Sequence, residues 1–122
     1  MNLSEIIDTL VSEIKLSELQ AKIFLHIVIN GRMNTEKIAN VLNISLDDAT
    51  NNCKKLVELG GFIDMPDNEF EAMHPRFTAV NMYRKMCERE QKEFKKNLDI
   101  DNIGVALEVS YDDARTKYNK KK

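Results

Sequence analysis

The sequence contains no tryptophan, and only two prolines, two cysteines and four glycines among its 122 residues. Each scarcity closes off a class. Cys53 and Cys87 lie far apart and form no short-range pair; without an export signal they are expected to remain thiols in a reducing cytoplasm. Together with His26 and His74 they show no CxxC or HxxxH spacing, so no metal site is expected. The glycines build no phosphate-cradling loop or dinucleotide fingerprint, and no nucleophile–base pair stands out. No catalytic residue and no cofactor is therefore expected. The longest apolar run, Ile23 to Ile29, is interrupted by His26, far short of the roughly 20 residues that a bilayer span needs. Glu5 and Asp8 sit where a signal peptide would carry its basic start and apolar run, so the expected location is cytoplasmic, with no membrane partner. No internal repeat is visible.

What is present is an ordinary globular composition, 43% hydrophobic, with an uneven charge distribution. Residues 1–73 hold six Lys/Arg against twelve Asp/Glu, a net −6; residues 74–122 hold twelve against eight, a net +4. Phosphate neutralisation supplies most of the affinity of a DNA-binding domain, so such domains are usually basic. Here the head is acidic and the C-terminal part basic.

Periodicity and capping residues order the chain. Residues 4–14 read as an amphipathic helix capped by Ser4, with Ile6, Ile7, Leu10, Val11 and Ile14 on one stripe. Ser17 with Gln20 three residues on is a capping-box pattern; the helix it opens ends at Asn30-Gly31. Met33 suits a one- or two-residue strand. Thr35 opens a short helix carrying Ile38, Ala39, Val41 and Leu42, and Asn43-Ile44 makes the turn. Ser45 caps a third helix, boxed by Asp48, with Leu46, Ala49, Cys53, Leu56 and Leu59 expected to face the core. Gly60-Gly61 stops it. Phe62-Ile63 begins a strand, Pro66-Asp67-Asn68 turns, and Phe70 and Ala72 alternate on the return. After Pro75 helical spacing resumes and predicts one long helix from Phe77 to Leu98. In the last segment Ile103, Val105, Leu107, Val109 and Tyr111 alternate like a strand, while Ile103, Leu107, Tyr111, Ala114 and Tyr118 fit a helix. A lone strand would leave an open edge, which favours the helix. Asn119 to Lys122 is expected to fray.

This order is the ground plan of a winged helix-turn-helix, a fold mostly used to lay one helix in a DNA groove. The expected class is mainly α with a small β-wing and flanking helices at both ends. Residues 1–76 would form the winged-helix domain and residues 77–122 a helical arm that dimerises.

The run Leu16-Ser17-Glu18-Leu19-Gln20-Ala21-Lys22-Ile23-Phe24-Leu25 resembles the opening of the TrmB-like winged-helix transcription regulators of archaeal type. Gly31 through Ala39 is similar to their Gly…Thr-x-x-Ile-Ala segment, Leu56 to Ile63 to their Leu-x-x-x-Gly-hydrophobic-Ile close, and Phe70-Glu71-Ala72-Met73-His74-Pro75 to their Tyr-x-Ala-x-x-Pro exit. The likeness covers roughly residues 16–90, with Gln20 for the usual Glu and Phe70 for Tyr. It implies a DNA-binding regulator. Full-length family members carry a sugar-binding domain after the helix, for which this chain is too short.

The chemistry of the surface divides the readings. Thr50, Asn51 and Lys54 fall on the outward face of the third helix, and an Asn can pair bidentately with adenine. Arg32, Lys37, Lys55, Arg76, Arg84 and Lys85 are the phosphate candidates, the last two and Arg76 having no obvious acidic partner in the sequence. Glu88 and Lys92 form an i, i+4 pair. Val80, Tyr83, Cys87, Phe94 and Leu98 make the stripe expected to join two copies. Yet Asp47 and Asp48 open the third helix, and the hairpin carries Asp64, Asp67, Glu69 and Glu71 where family members place basic or neutral polar residues. Two functions follow: a dimeric regulator that binds double-stranded DNA, or a protein–protein interaction module of a transcription-related assembly, its acidic wing docking a basic partner. His26 is expected at a helix surface or core edge and Cys53 in the core as a small hydrophobe.

Overall fold

The computed structural model describes the backbone of residues 1–120 and side chains through Lys117. Among the described residues, six α-helices, a one-turn 3-10 helix (Pro66–Asn68) and a small antiparallel sheet make the fold mainly helical: α1 (Leu3–Glu13), α2 (Glu18–Asn30), β1 (Met33–Asn34), α3 (Thr35–Leu42), α4 (Leu46–Glu58), β2 (Ile63–Met65), β3 (Glu69–Glu71), α5 (Pro75–Arg89) and α6 (Leu98–Lys120).

Local capping chemistry sets most boundaries. Ser17 Oγ accepts from Gln20 N while Gln20 Oε1 accepts from Ser17 N, the expected reciprocal box. One cap sits two residues earlier than expected: Asn2, not Ser4, caps α1 and closes a box with Glu5. α3 opens at Thr35 as expected; Asn34 caps it by accepting from Lys37 N, and Thr35 is buried. At α4 only half of the expected box forms: Ser45 Oγ accepts from Asp48 N, with no return bond from the Asp48 carboxylate.

Three strands form the sheet in the order β1-β3-β2, all antiparallel, with Met33 opposite Phe70 and Asp64 opposite Phe70 on the other side. Between β2 and β3, Asp67 and Asn68 both take positive φ, a conformation that Asp and Asn tolerate and that matches strand twist in tight hairpins. Phe70 stacks toward Phe62, and Phe62 toward Phe24 of α2, at ring centroids of 6.3 and 6.0 Å; this aromatic run fastens the sheet to the core.

The C-terminal third departs most from expectation. The single helix over 77–98 is two helices. α5 stops at Arg89, Gln91 turns the chain at φ +55°, and Asn97 Oδ1 accepts from the backbone N–H groups of Asp99 and Ile100 to start α6. α6 then folds back across α5 and α2. It buries Ile100, Ile103, Leu107, Tyr111 and Ala114, and leaves Val105 and Val109 exposed, so the helical phase is the one adopted. The helical arm expected over residues 77–122 contributes Ala79, Met82, Ile100, Ile103, Leu107 and Tyr111 to the same core cluster as Ile6 of α1. A Cβ at Gly104 would stand 2.6 Å from Arg76 Cα, so α5 and α6 approach this closely only because Gly104 has no side chain. α6 continues to Lys120, past the expected fraying of Asn119; residues 121 and 122, and the side chain of Tyr118, lie outside the described ones.

Leu46, at the first position of α4, is the one member of the expected α4 stripe on the surface. No described helix is long and apolar enough to cross a membrane.

Candidate nucleic-acid interface

Helix α4 carries the candidate reading face. Ala49, Cys53 and Leu56 are buried, which fixes the rotation of the helix and turns Asn51, Lys54 and Lys55 outward, with Thr50 half-buried at the edge. Among the described residues the side chains of Thr50, Asn51 and Lys54 make no hydrogen bond or ion pair, so their polar groups are available to a partner. Lys55 is not: it pairs with Glu58 at 3.2 Å. Asn52 escaped the sequence reading. Its Nδ2 donates to Asp48 O at 2.8 Å and its Oδ1 accepts from Gln20 Nε2 at 3.3 Å, tying α4 to the first turn of α2. The signal was Gln20, whose amide has one group to spare after closing its capping box.

The arginines expected to hold phosphates are engaged within the chain. Arg32 pairs with Glu69 across the β1–β3 edge. Arg76 pairs with Glu108 of α6 at 2.9 Å; each group pulls the other's pKa outward, the guanidinium up and the carboxyl down, mainly through their hydrogen bond. Arg84 reaches Glu88 at 2.8 Å and Asn81 Oδ1 at 2.6 Å. Arg76 and Arg84 therefore do have acidic partners. Glu88 is taken by Arg84, and Lys92 turns to Glu90 at 3.1 Å instead. Of the phosphate candidates, Lys37 and Lys85, with Lys54 beside them in charge, have no ion-pair partner among the described residues. Lys37 stands near His26, whose pKa is lowered first by burial and then by that positive charge.

The hairpin adds no positive charge. Asp64 and Asp67 are exposed, Glu71 is half-buried, and Glu69 holds Arg32. Exposed Val41 and Leu46 flank the α3–α4 turn at 51% and 49% accessibility, and Asp47 and Asp48 follow Leu46 in the chain.

The expected dimer stripe does not lie on one helix. Cys87 is buried inside the chain, Val80 and Tyr83 are half-buried, and only Phe94 and Leu98 are exposed. Phe94, in the α5–α6 connection, folds back on Tyr83 at a ring-centroid distance of 6.0 Å.

Sequence spacing also hid a cluster in which His74, Glu108 and Asp112 bring ligand-type atoms within 4.8 Å of one another. His74 caps α5, its Nδ1 accepting from Arg76 N at 3.1 Å. That bond places the proton of the neutral ring on Nε2, which faces Glu108 Oε1 at 3.6 Å. A metal at Nε2 would have to displace that proton, break the cap and draw Glu108 from Arg76. In this geometry the cluster is an ion-pair and capping network that joins α5 to α6. Cys53 is wholly buried and its thiol is pushed up to about 12 by burial, which leaves it unreactive at neutral pH.

No family model, curated protein or solved structure matches this chain.

Proposed function

We propose that the chain is a winged helix-turn-helix DNA-binding transcription regulator that acts as a homodimer. The observation that carries this reading is connectivity. Helix α2 leads through β1 to α3, a three-residue turn joins α3 to α4, and the β2–β3 hairpin returns to pair with β1 in the order β1-β3-β2. This arrangement presents the outward face of α4 with Thr50, Asn51 and Lys54 unengaged, as a recognition helix requires. The likeness of residues 16–90 to the TrmB-like regulators supports the same reading. Lys54 with Lys37 supplies the attraction to phosphate, and Asn51 the base contact. Phe94 and Leu98, extended along α6 by exposed Val105 and Val109, offer the apolar surface for a second copy.

The test is a salt series of binding to mixed genomic duplex by the purified protein, with light scattering on the same sample. A complex whose affinity falls steeply with salt, and a particle of twice the chain mass, are expected. No complex at low salt with any duplex refutes DNA binding.

A second reading has its own observation. Val41 and Leu46 expose apolar surface beside Asp47 and Asp48 at the turn where a DNA binder would meet phosphate. This suits a protein-interaction module whose partner is basic and apolar, and it takes over if the salt series shows no complex.

A further inference from the structure

The described surface also carries an apolar concavity at the C-terminal end of α4. It is a groove of about 260 Å³ between the C-terminal turn of α4, strand β2 and the first half of α5. Val57, Ile63, Met73 and Phe77 supply apolar walls, and the last three stay 40–53% exposed although each is large and hydrophobic. Two polar residues of the lining are already committed. Asn81 Nδ2 donates to Gly60 O at 3.1 Å while its Oδ1 accepts from Arg84, and Thr78 Oγ1 donates to His74 O at 3.3 Å.

The remaining polar group is Lys85. It is half-buried and has no carboxylate partner among the described residues. Its stem is laid across Gly60: a Cβ there would meet Lys85 Cδ at 2.8 Å and Cε at 3.1 Å. Gly60 at φ +92° thus does two things, ending α4 and leaving room for the lysine along the groove. One positioned cation at the edge of an apolar trough is complementary to a ligand with one negative charge and an apolar body.

We propose that this groove binds a small amphipathic carboxylate, of the class of medium-chain fatty or aryl-alkyl acids, with Lys85 on the carboxylate and Val57, Ile63, Met73 and Phe77 around the tail. The ligand would touch α4, the hairpin and α5 together. The assignment does not depend on DNA binding and is tested without DNA.

The probes are octanoate, octanol and octylamine, each titrated into the full chain below its aggregation concentration. Binding is read by the NMR signal of the Met73 methyl group and by calorimetry. Octanoate is expected to shift the Met73 signal saturably, octanol to bind more weakly, and octylamine weakest of the three. Lys85→Gln should weaken octanoate roughly tenfold, the scale of one hydrogen bond to a charged group, and leave octanol unchanged. Phe77→Asp, at an exposed position and therefore tolerated by the fold, should abolish binding of octanoate. Circular dichroism of both variants checks that they are folded. Equal binding of octylamine and octanoate, or an unchanged affinity in Lys85→Gln, overturns the proposal. So does a wild-type dimer that Phe77→Asp converts to monomer, since a second copy would then be the occupant.

Discussion

Lys15 holds a φ of +67° between α1 and α2, where the Leu16 N–H closes on Leu10 O at 3.3 Å. A left-handed conformation costs a residue with a Cβ about 1–2 kcal/mol, a cost that Asn43 reduces by its side chain and glycine avoids. Lys15→Gly is therefore expected to stabilise the protein by about 0.5–1 kcal/mol, the strain relief being partly offset by the greater freedom of glycine when unfolded; urea denaturation measures it. Gly104 responds in the opposite sense. Gly104→Ala drives a methyl group onto the Arg76 backbone and is expected to cost about 1–3 kcal/mol, read in the same assay. His26 gives a pH dependence. Burial and Lys37 hold its folded pKa below 6.5, so the unfolded chain takes up the proton first as pH falls. The stabilisation is present above the unfolded value and is lost as pH drops beneath it. His26→Gln should flatten the acid side of a melting-temperature profile below about pH 6.5. An unaltered profile would show that other groups carry the acid sensitivity.

At the scale of elements, local chemistry was legible and long-range chemistry was not. Ser17 with Gln20, Gly31 after Asn30, and Gly60 after Leu59 act within a few residues, so α2 and α4 could be bounded from the chain alone. The outward face of α4 could be read too, because the apolar spacing of Ala49, Cys53 and Leu56 fixes its rotation. The break after Arg89 was hidden: no glycine or proline marks it, and Phe94 and Leu98 happen to continue the helical period. What ends α5 is tertiary, since Ile100, Ile103 and Leu107 gain burial only if the chain turns back. The engagement of Arg32 and Arg76 was equally invisible, their carboxylates lying 37 and 32 positions away. These pairings change what mutagenesis should show. Lys54→Ala is expected to flatten the salt dependence of DNA binding by about one unit, the share of a single neutralised phosphate. Arg76→Ala and Arg84→Ala should leave the slope nearly unchanged, because Glu108 and Glu88 already hold those charges. Asn51→Ala should lower the preference for a particular site rather than the general affinity. Equal slopes for all four variants and the parent protein in mobility-shift titrations would remove α4 from the interface.

At the scale of the whole molecule, the C-terminal helix is structural. Ile100, Ile103, Leu107 and Tyr111 belong to the core that α1 and α2 also build. A chain cut after Glu90 would expose the faces of α2 and α5 that α6 covers, so no division near residue 77 separates two folding units. The truncated chain is expected to melt without a cooperative transition by circular dichroism, where the full chain shows a single sigmoid. A sharp melt of the fragment would show that the head stands alone. The same return of α6 has a consequence in time. Translation delivers α2 long before α6, so a nascent chain carries the apolar flank of α2 uncovered while everything between them is being made. Contacts that distant in sequence close slowly, because the long loop between them must be ordered first. During that interval the chain displays sticky surface that its finished form hides, and chaperone dependence during synthesis would follow from the position of one helix rather than from weakness in the completed core.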